Sequence, residues 1–393
     1  MKDYYFLQKK YLLNTYPNRG ITFVKGKGVY LIDNQGKKYL DLGSNYGVNI
    51  AGYNHPFFTV RLLAQFKRLI NLHGSFISDV RSEAAFRLIK RVGLLMDKVF
   101  FVNSGSEAIE VALKLGLLFS KKKKILSFEN AFHGKTLGAL SATYNPKYKK
   151  GLPESLFSFV TYAKFNDLKS LREKFTKEIG VVIFEPIQGD GGIREAKYEF
   201  VKEIFSLASK NKAIVIVDEV QTGCGRTGRF LAIERYNVFP DIITLGKGIA
   251  GGLPVGIVLI KKGLSDKVPK LFQTSTFGGN PFTSAGVLST LQWLNGQILE
   301  DVKEKGKEFK NLLEKIKSPL IKQVRGRGLM IGVELRGERD LVLKKLQENK
   351  IVALPASEKV VRFLPPYIIS SSQLKKAAEK FAKVIKSLEK NNV

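Results

Sequence analysis

The chain has 393 residues, 44% of them hydrophobic, with 65 Lys and Arg against 35 Asp and Glu, a formal net charge of +30. That length supports a large core divided among more than one domain. A single cysteine, Cys224, excludes an intrachain disulfide framework, three scattered histidines argue against a metal cluster, and no run of about eighteen apolar residues suggests a membrane span.

Residues 1–14 contain aromatics but no continuous apolar stretch of the kind that directs secretion, so a soluble cytoplasmic protein is expected. Residues 21–42 read as a β-meander with turns at Gly26, Gly28 and Gly36. From Asn54 to Val92 the apolar spacing becomes helical. Val99–Val102 is a short strand, and Asn103–Glu107 leads into a helix with Ala108, Val111, Ala112, Leu115 and Leu118 inward. Strand patterns recur at 124–128, 180–184, 213–218, 242–245 and 256–260, alternating with helical stretches, which predicts a parallel sheet covered by helices. Beyond residue 284 the character changes. A charged amphipathic helix at 299–316, a strand at 326–335, a strand near 360–364 and a terminal helix from Ser372 predict an α+β domain. The division expected is an N-terminal segment, 1–43, packed on the small domain, then a large domain, 44–283, and the small C-terminal domain, 284–393.

The excess of lysine is dispersed, apart from Lys121–Lys124, and no nucleic-acid recognition signature accompanies it. It reads as a solvated surface rather than a nucleic-acid interface, and leaves room for an acidic partner.

The most informative stretch is AIVIVDEVQTGCGRTG, 213–228. Its β-branched run is apolar on both faces, as in a buried parallel strand, and it ends in Asp218, where open α/β sheets place their ligands. A second apolar run is followed by Lys247 in the glycine-flanked turn LGKG. An acid that holds a cationic ring nitrogen and a lysine able to condense with an aldehyde are what pyridoxal phosphate chemistry requires.

Seven segments, NSGSEA, FHGKT, EPIQGDGG, DEVQTGCGRTG, LGKGIAGGLPVG, TFGGNPF and RGRGLMIGVEL, occur in that order between about Gly20 and Tyr367. The chain thereby resembles the class III (ω-amino acid) aminotransferases, most closely the acetylornithine branch and its relatives acting on acyl-lysine or on carrier-linked lysine and ornithine. The resemblance implies an α/β protein of fold type I with a mostly parallel seven-stranded sheet in the large domain, pyridoxal 5'-phosphate as cofactor, and a homodimer with a shared active site. Ser104, Gly105 and Ser106 open a helix and offer N–H groups and hydroxyls to the phosphate. Phe132 would stack on the ring, with His133 beside it. Glu185 would support the cofactor site, Asp218 would bind the ring nitrogen, and Val220 would pack on the ring with Gln221 near its hydroxyl. Lys247 would hold the cofactor and then move the proton, and Thr276 would reach the neighbouring subunit's phosphate.

For substrate, the resemblance points to Lys135, Asp190, Ser275 and Arg362. Arg362 would clamp a carboxylate, and Asp190, where many relatives carry Glu, would pair with it and move aside. Lys135 stands where the acetylornithine branch has Arg, a point charge in place of a fork. Gln273-Thr274 replace a common His-Gly. The implied reaction moves the ω-amino group of an N-acylated ornithine- or lysine-like donor to 2-oxoglutarate, giving glutamate. Alternatives are a donor presented on an acidic amino-group carrier protein, or another ω-amine such as ornithine or 4-aminobutyrate. Gln221 argues against the aminomutases of this scaffold, which tend to carry Met there, and an intact Asp218–Lys247 pair argues against a non-enzymatic basic binding protein.

Overall fold

The computed structural model describes residues 4–337 and 339–390. Its centre is a seven-stranded sheet ordered Met96–Val102, Gly256–Lys261, Ile242–Leu245, Ile214–Asp218, Ile179–Phe184, Lys124–Phe128 and Val160–Ala163. Every strand is parallel except Gly256–Lys261, which runs antiparallel to both neighbours.

The β-branched run at the centre explains the layering. All of Ile214–Asp218 is buried, with Ile214 and Ile216 in one apolar cluster and Val215 and Val217 in another. The first cluster holds Ala108, Val111, Ala112 and Leu115 of the helix Gly105–Ser120, and the second holds Phe200, Val201 and Ile204 of the helix Tyr198–Asn211. Strand side chains alternate between faces, so one run serves both helical layers.

The N-terminal meander forms as Phe23–Lys27, Tyr30–Asp33 and Lys38–Asp41, and Ile351–Val352 adds to its last strand in parallel. A second four-stranded antiparallel sheet, ordered Ile321–Arg327, Met330–Leu335, Val360–Phe363 and Leu354–Ala356, packs with the helices Gly296–Glu314, Arg339–Glu348 and Ser371–Lys390. Here the expected single strand at 326–335 is corrected to a hairpin. Gly328 adopts φ +53° at the turn, and a Cβ there would lie 2.6 Å from the backbone of Thr227, so the chain reverses at this glycine. Among the described residues no helix is long and apolar enough to cross a membrane.

Candidate active site

The carboxyl ends of Ile214–Asp218 and Ile242–Leu245 lie side by side, in register from Ile216 with Ile242 to Asp218 with Thr244. Asp218 is 4% exposed. Its Oδ1 accepts the Val220 N–H at 3.0 Å and the Thr244 hydroxyl at 3.4 Å. Its Oδ2 lies 2.7 Å from His133 Nδ1. An ionised carboxylate only accepts, so the imidazole donates from Nδ1, while Nε2 is buried without a partner among the described residues.

Lys247 opens a short 3₁₀ turn, Lys247–Ala250, directly after Gly246. Its backbone sits at φ +46°, a conformation costing a side-chain-bearing residue about 1–3 kcal/mol that such sites commonly retain. Protein largely encloses the side chain, and its ammonium has no hydrogen-bond partner among the described residues. Burial, then the positive charge of Arg362, brings its pKa down to about 8, against the opposing pull of Asp218, Glu185 and Asp190. Five charged groups spread along the sequence therefore act on one another in one place.

Ser104 caps the helix Gly105–Ser120, its hydroxyl accepting the Glu107 N–H at 3.2 Å, while the Glu107 carboxylate reaches back to the Asn103 N–H at 2.9 Å. The first-turn N–H groups of Gly105 and Ser106 have no partner within the helix and stay available to an anion. A Cβ on Gly105 would lie 2.7 Å from Val220 Cγ1, and one on Gly246 3.2 Å from the same atom and 3.5 Å from the Gly105 Cα. The helix N-terminus, Val220 beyond Asp218 and the turn bearing Lys247 thus meet. Gly105→Ala is expected to push the Val220 side chain away from the helix N-terminus at a cost of about 1–3 kcal/mol and to weaken cofactor binding about tenfold or more, read by titrating pyridoxal phosphate into the stripped protein.

Phe132 and His133 lie in a turn clasped by Thr143, whose Oγ1 accepts the N–H groups of His133 at 2.9 Å and Gly134 at 3.2 Å. Buried Glu185 ties this turn to the following loop, accepting the Phe132 N–H at 3.1 Å and the Gly189 N–H at 3.0 Å. Burial pushes its pKa up to about 7; the charge of Asp218 adds to this and His133 opposes it. Ser106 Oγ accepts the Lys135 N–H at 3.0 Å, joining the phosphate-type loop to the same turn.

Arg362 is 1% exposed and sits on Val360–Phe363. It donates from Nη1 to Gln221 Oε1 at 3.2 Å and from Nη2 to the Pro355 carbonyl at 2.9 Å. Asp190 Oδ1 lies 3.6 Å from Nη2, an ion pair wider than a hydrogen bond. Burial lowers the Arg362 pKa, and the negative charge of Asp190 opposes that shift. Beside the pair opens a cleft of about 800 Å³ bounded by Phe132, Tyr148, Asp190, Arg194, Pro355 and Lys359 among others.

Of the residues singled out in the sequence, Gly105, Val220, Asp218, His133, Glu185, Lys247, Gln221, Arg362 and Asp190 are linked into this centre by the contacts above. Ser104, Ser106, Phe132 and Lys135 border it. Ser275 stands to one side, its Oγ accepting from Asn103 Nδ2 at 3.3 Å and from the Gly278 N–H at 2.9 Å. Thr276 is exposed and makes no hydrogen bond to these residues within its own chain. Sequence reasoning passed over Thr143, Thr244 and Tyr148. Thr244 was findable as the last polar residue of an apolar strand; the other two carry no motif and act only through the tertiary fold.

A strand-end carboxylate facing a buried, unpartnered lysine, next to a helix N-terminus open to an anion, fits a pyridoxal phosphate enzyme. A model of class-III aminotransferases matches residues 13–385. The chain is 40% identical over 373 residues to an acetylornithine aminotransferase of Aquifex aeolicus, covering 93% of this chain and 97% of that one. It is 38% identical over 370 residues to a [LysW]-aminoadipate semialdehyde/glutamate semialdehyde transaminase of Sulfolobus acidocaldarius, covering 93% and 95%. In structure it is similar to the ornithine aminotransferase of Toxoplasma gondii, solved with partial pyridoxal phosphate at its active site, with a TM-score of 0.93, 28% identity and coverage of 99% and 95%. The chain belongs to the class-III aminotransferase family and is a pyridoxal phosphate-dependent aminotransferase.

Proposed function

We propose that the enzyme takes the ω-amino group of an N-acylated ornithine- or lysine-like donor and passes it to 2-oxoglutarate in two half-reactions, in the cytoplasm. The observation that carries this is Arg362, a buried guanidinium guarded by Asp190 and close enough to Lys247 to depress its pKa. A clamp that opens for one substrate and closes for the other suits an enzyme whose acceptor has a carboxylate near the reacting carbon and whose donor does not. The names of the relatives from Aquifex and Sulfolobus support the donor class.

When bound, pyridoxal phosphate supplies an aldehyde that accepts the amino group and a ring that draws electrons from the reacting carbon. Lys247 Nζ would hold it between turnovers and, once freed by the donor amine, would move the proton at the amine-bearing carbon. Asp218 would keep the ring nitrogen protonated through a charge-assisted bond, with His133 orienting that carboxylate. Ser104, Gly105 and Ser106 would bind the phosphate, and Phe132 and Val220 would supply apolar walls that exclude water. Gln221 would serve the ring hydroxyl and keeps Arg362 aligned. Thr276 would serve the phosphate of a second subunit. Exposed Val60, Leu63 and Phe66 on the helix Pro56–Arg68 support such a homodimer, because apolar side chains three residues apart share one helix face and exposed apolar faces favour association.

The test is a panel of ω-amines mixed singly with the cofactor-loaded enzyme, following the cofactor absorption. Acylated ornithine or lysine should bleach the band fastest and 2-oxoglutarate should restore it; no bleaching by any amine would remove the proposal. Lys135→Arg is expected to lower the KM of carboxylate-bearing donors several-fold, by replacing a point charge with a fork. A second reading, in which the donor arrives on an acidic carrier protein, draws on the Sulfolobus relative's name and on Arg194 and Lys359, cations at the cleft without an ion-pair partner among the described residues. Carrier-linked donor would then outcompete free donor at low salt and lose that advantage at high salt.

A further inference from the structure

Tyr148 ends the 3₁₀ turn Pro146–Tyr148, which Asn145 fixes by accepting the Lys147 N–H at 3.0 Å. From there it touches three site residues. Its hydroxyl donates to Asp190 Oδ2 at 3.3 Å, its ring meets Phe132 edge-on with centroids 5.8 Å apart, and Lys135 Nζ lies 4.1 Å from its centroid. Asp190 is thereby divided between two partners, with Oδ1 3.6 Å from Arg362 Nη2 and Oδ2 on Tyr148. No other carboxylate forms an ion pair with Arg362 among the described residues. One Nη1 hydrogen goes to Gln221 and one Nη2 hydrogen to the Pro355 carbonyl, and Nε is buried without a partner among the described residues.

We propose that Tyr148 is a positioning residue for carboxylate exchange at Arg362: it retains Asp190 when a ligand carboxylate takes the guanidinium. The inference rests on the transaminase reading for its biological use, but its physical content concerns binding alone. A carboxylate entering the cleft must displace Asp190 from Arg362. A displaced Asp190 without a donor would sit desolvated beside a second anion, and the Tyr148 hydroxyl removes that penalty. The hydroxyl remains a donor across the working range, since burial and then the charge of Asp190 push its pKa up to about 12. The partial hold also explains how an aspartate serves where many relatives have the longer glutamate. The tyrosine engages the carboxylate oxygen that Arg362 does not, while the other oxygen stands 3.6 Å from Nη2.

Tyr148→Phe keeps both ring contacts and removes only the hydroxyl. The probe is glutarate, a dicarboxylate with no oxo group, titrated calorimetrically into the cofactor-loaded enzyme, so that no turnover is needed. Its Kd should rise about five- to tenfold, the scale of one ordinary net hydrogen bond, because the Tyr148–Asp190 contact is already partly made before the ligand enters. In an Asp190→Asn background the same change should move Kd by less than about twofold. Unchanged glutarate affinity in Tyr148→Phe, an equal rise in the Asp190→Asn background, or no glutarate binding by the native enzyme would each overturn the assignment. If glutarate behaves as expected while no ω-amine bleaches the cofactor, the transaminase reading falls and the role of Tyr148 stands. If amines bleach and the glutarate ratio is unity, only the role of Tyr148 falls.

Discussion

Replacing Lys247 with alanine is expected to reduce transamination by about 10⁴-fold or more while the protein still folds, because one nitrogen both holds the cofactor and moves the proton. Removing a buried, strained cation with no hydrogen-bond partner should not lower the melting temperature. Lys247→Arg separates charge from chemistry: its guanidinium keeps the positive charge but cannot be deprotonated, so it should be equally inactive. The lowered pKa gives a second readout that needs no turnover. Only the uncharged amine attacks an aldehyde, so the rate at which stripped enzyme captures pyridoxal phosphate should climb with pH, reach half its plateau near about 8, and level above it. The sign follows from the cause, since burial and Arg362 disfavour the ammonium and place its loss below the ordinary lysine range. Retention of more than about 1% of native activity by Lys247→Ala would remove this lysine from the mechanism.

Much of this centre was legible because its chemistry is written in contiguous segments. The run 213–218 announces a strand buried on both faces, and Asp218 closes it at the end where ligands bind. Each glycine-rich motif likewise fixes its own turn. What escaped reading depends on partners far away in sequence. Val160–Ala163, the seventh strand, has a half-polar pattern because it lies at the sheet edge and pairs only with Lys124–Phe128. Gly256–Lys261 looks like the parallel strands of the same sheet, since direction leaves no mark on an apolar run buried on both sides. The hairpin at Gly328 was read as one strand because its first arm, Ile321–Arg327, is too polar to announce itself as a strand. Tyr148 had no signal at all: its meaning lies in meeting Asp190, Phe132 and Lys135, which the fold brings together from separate loops.

The second large effect concerns Asp218. Asp218→Asn preserves shape but exchanges a charged acceptor for an amide, and that position faces donors on two sides: the Val220 N–H at 3.0 Å and His133 Nδ1 at 2.7 Å. One amide oxygen cannot satisfy both, so the Asn Nδ2 must confront a donor unless His133 shifts its proton to Nε2. That nitrogen has no acceptor among the described residues, so the rearrangement carries its own penalty. The ring nitrogen of the cofactor would also lose the anion that keeps it protonated. Together these should lower kcat by about 10²–10³, the scale on which a single preorganised electrostatic group acts. Capture of the cofactor by Lys247 should persist, because the phosphate loop and the amine are untouched. Loss of turnover with capture intact would assign Asp218 to the electronics of the reaction rather than to binding. A kcat within about tenfold of native would leave it a structural acid that merely holds His133 in place.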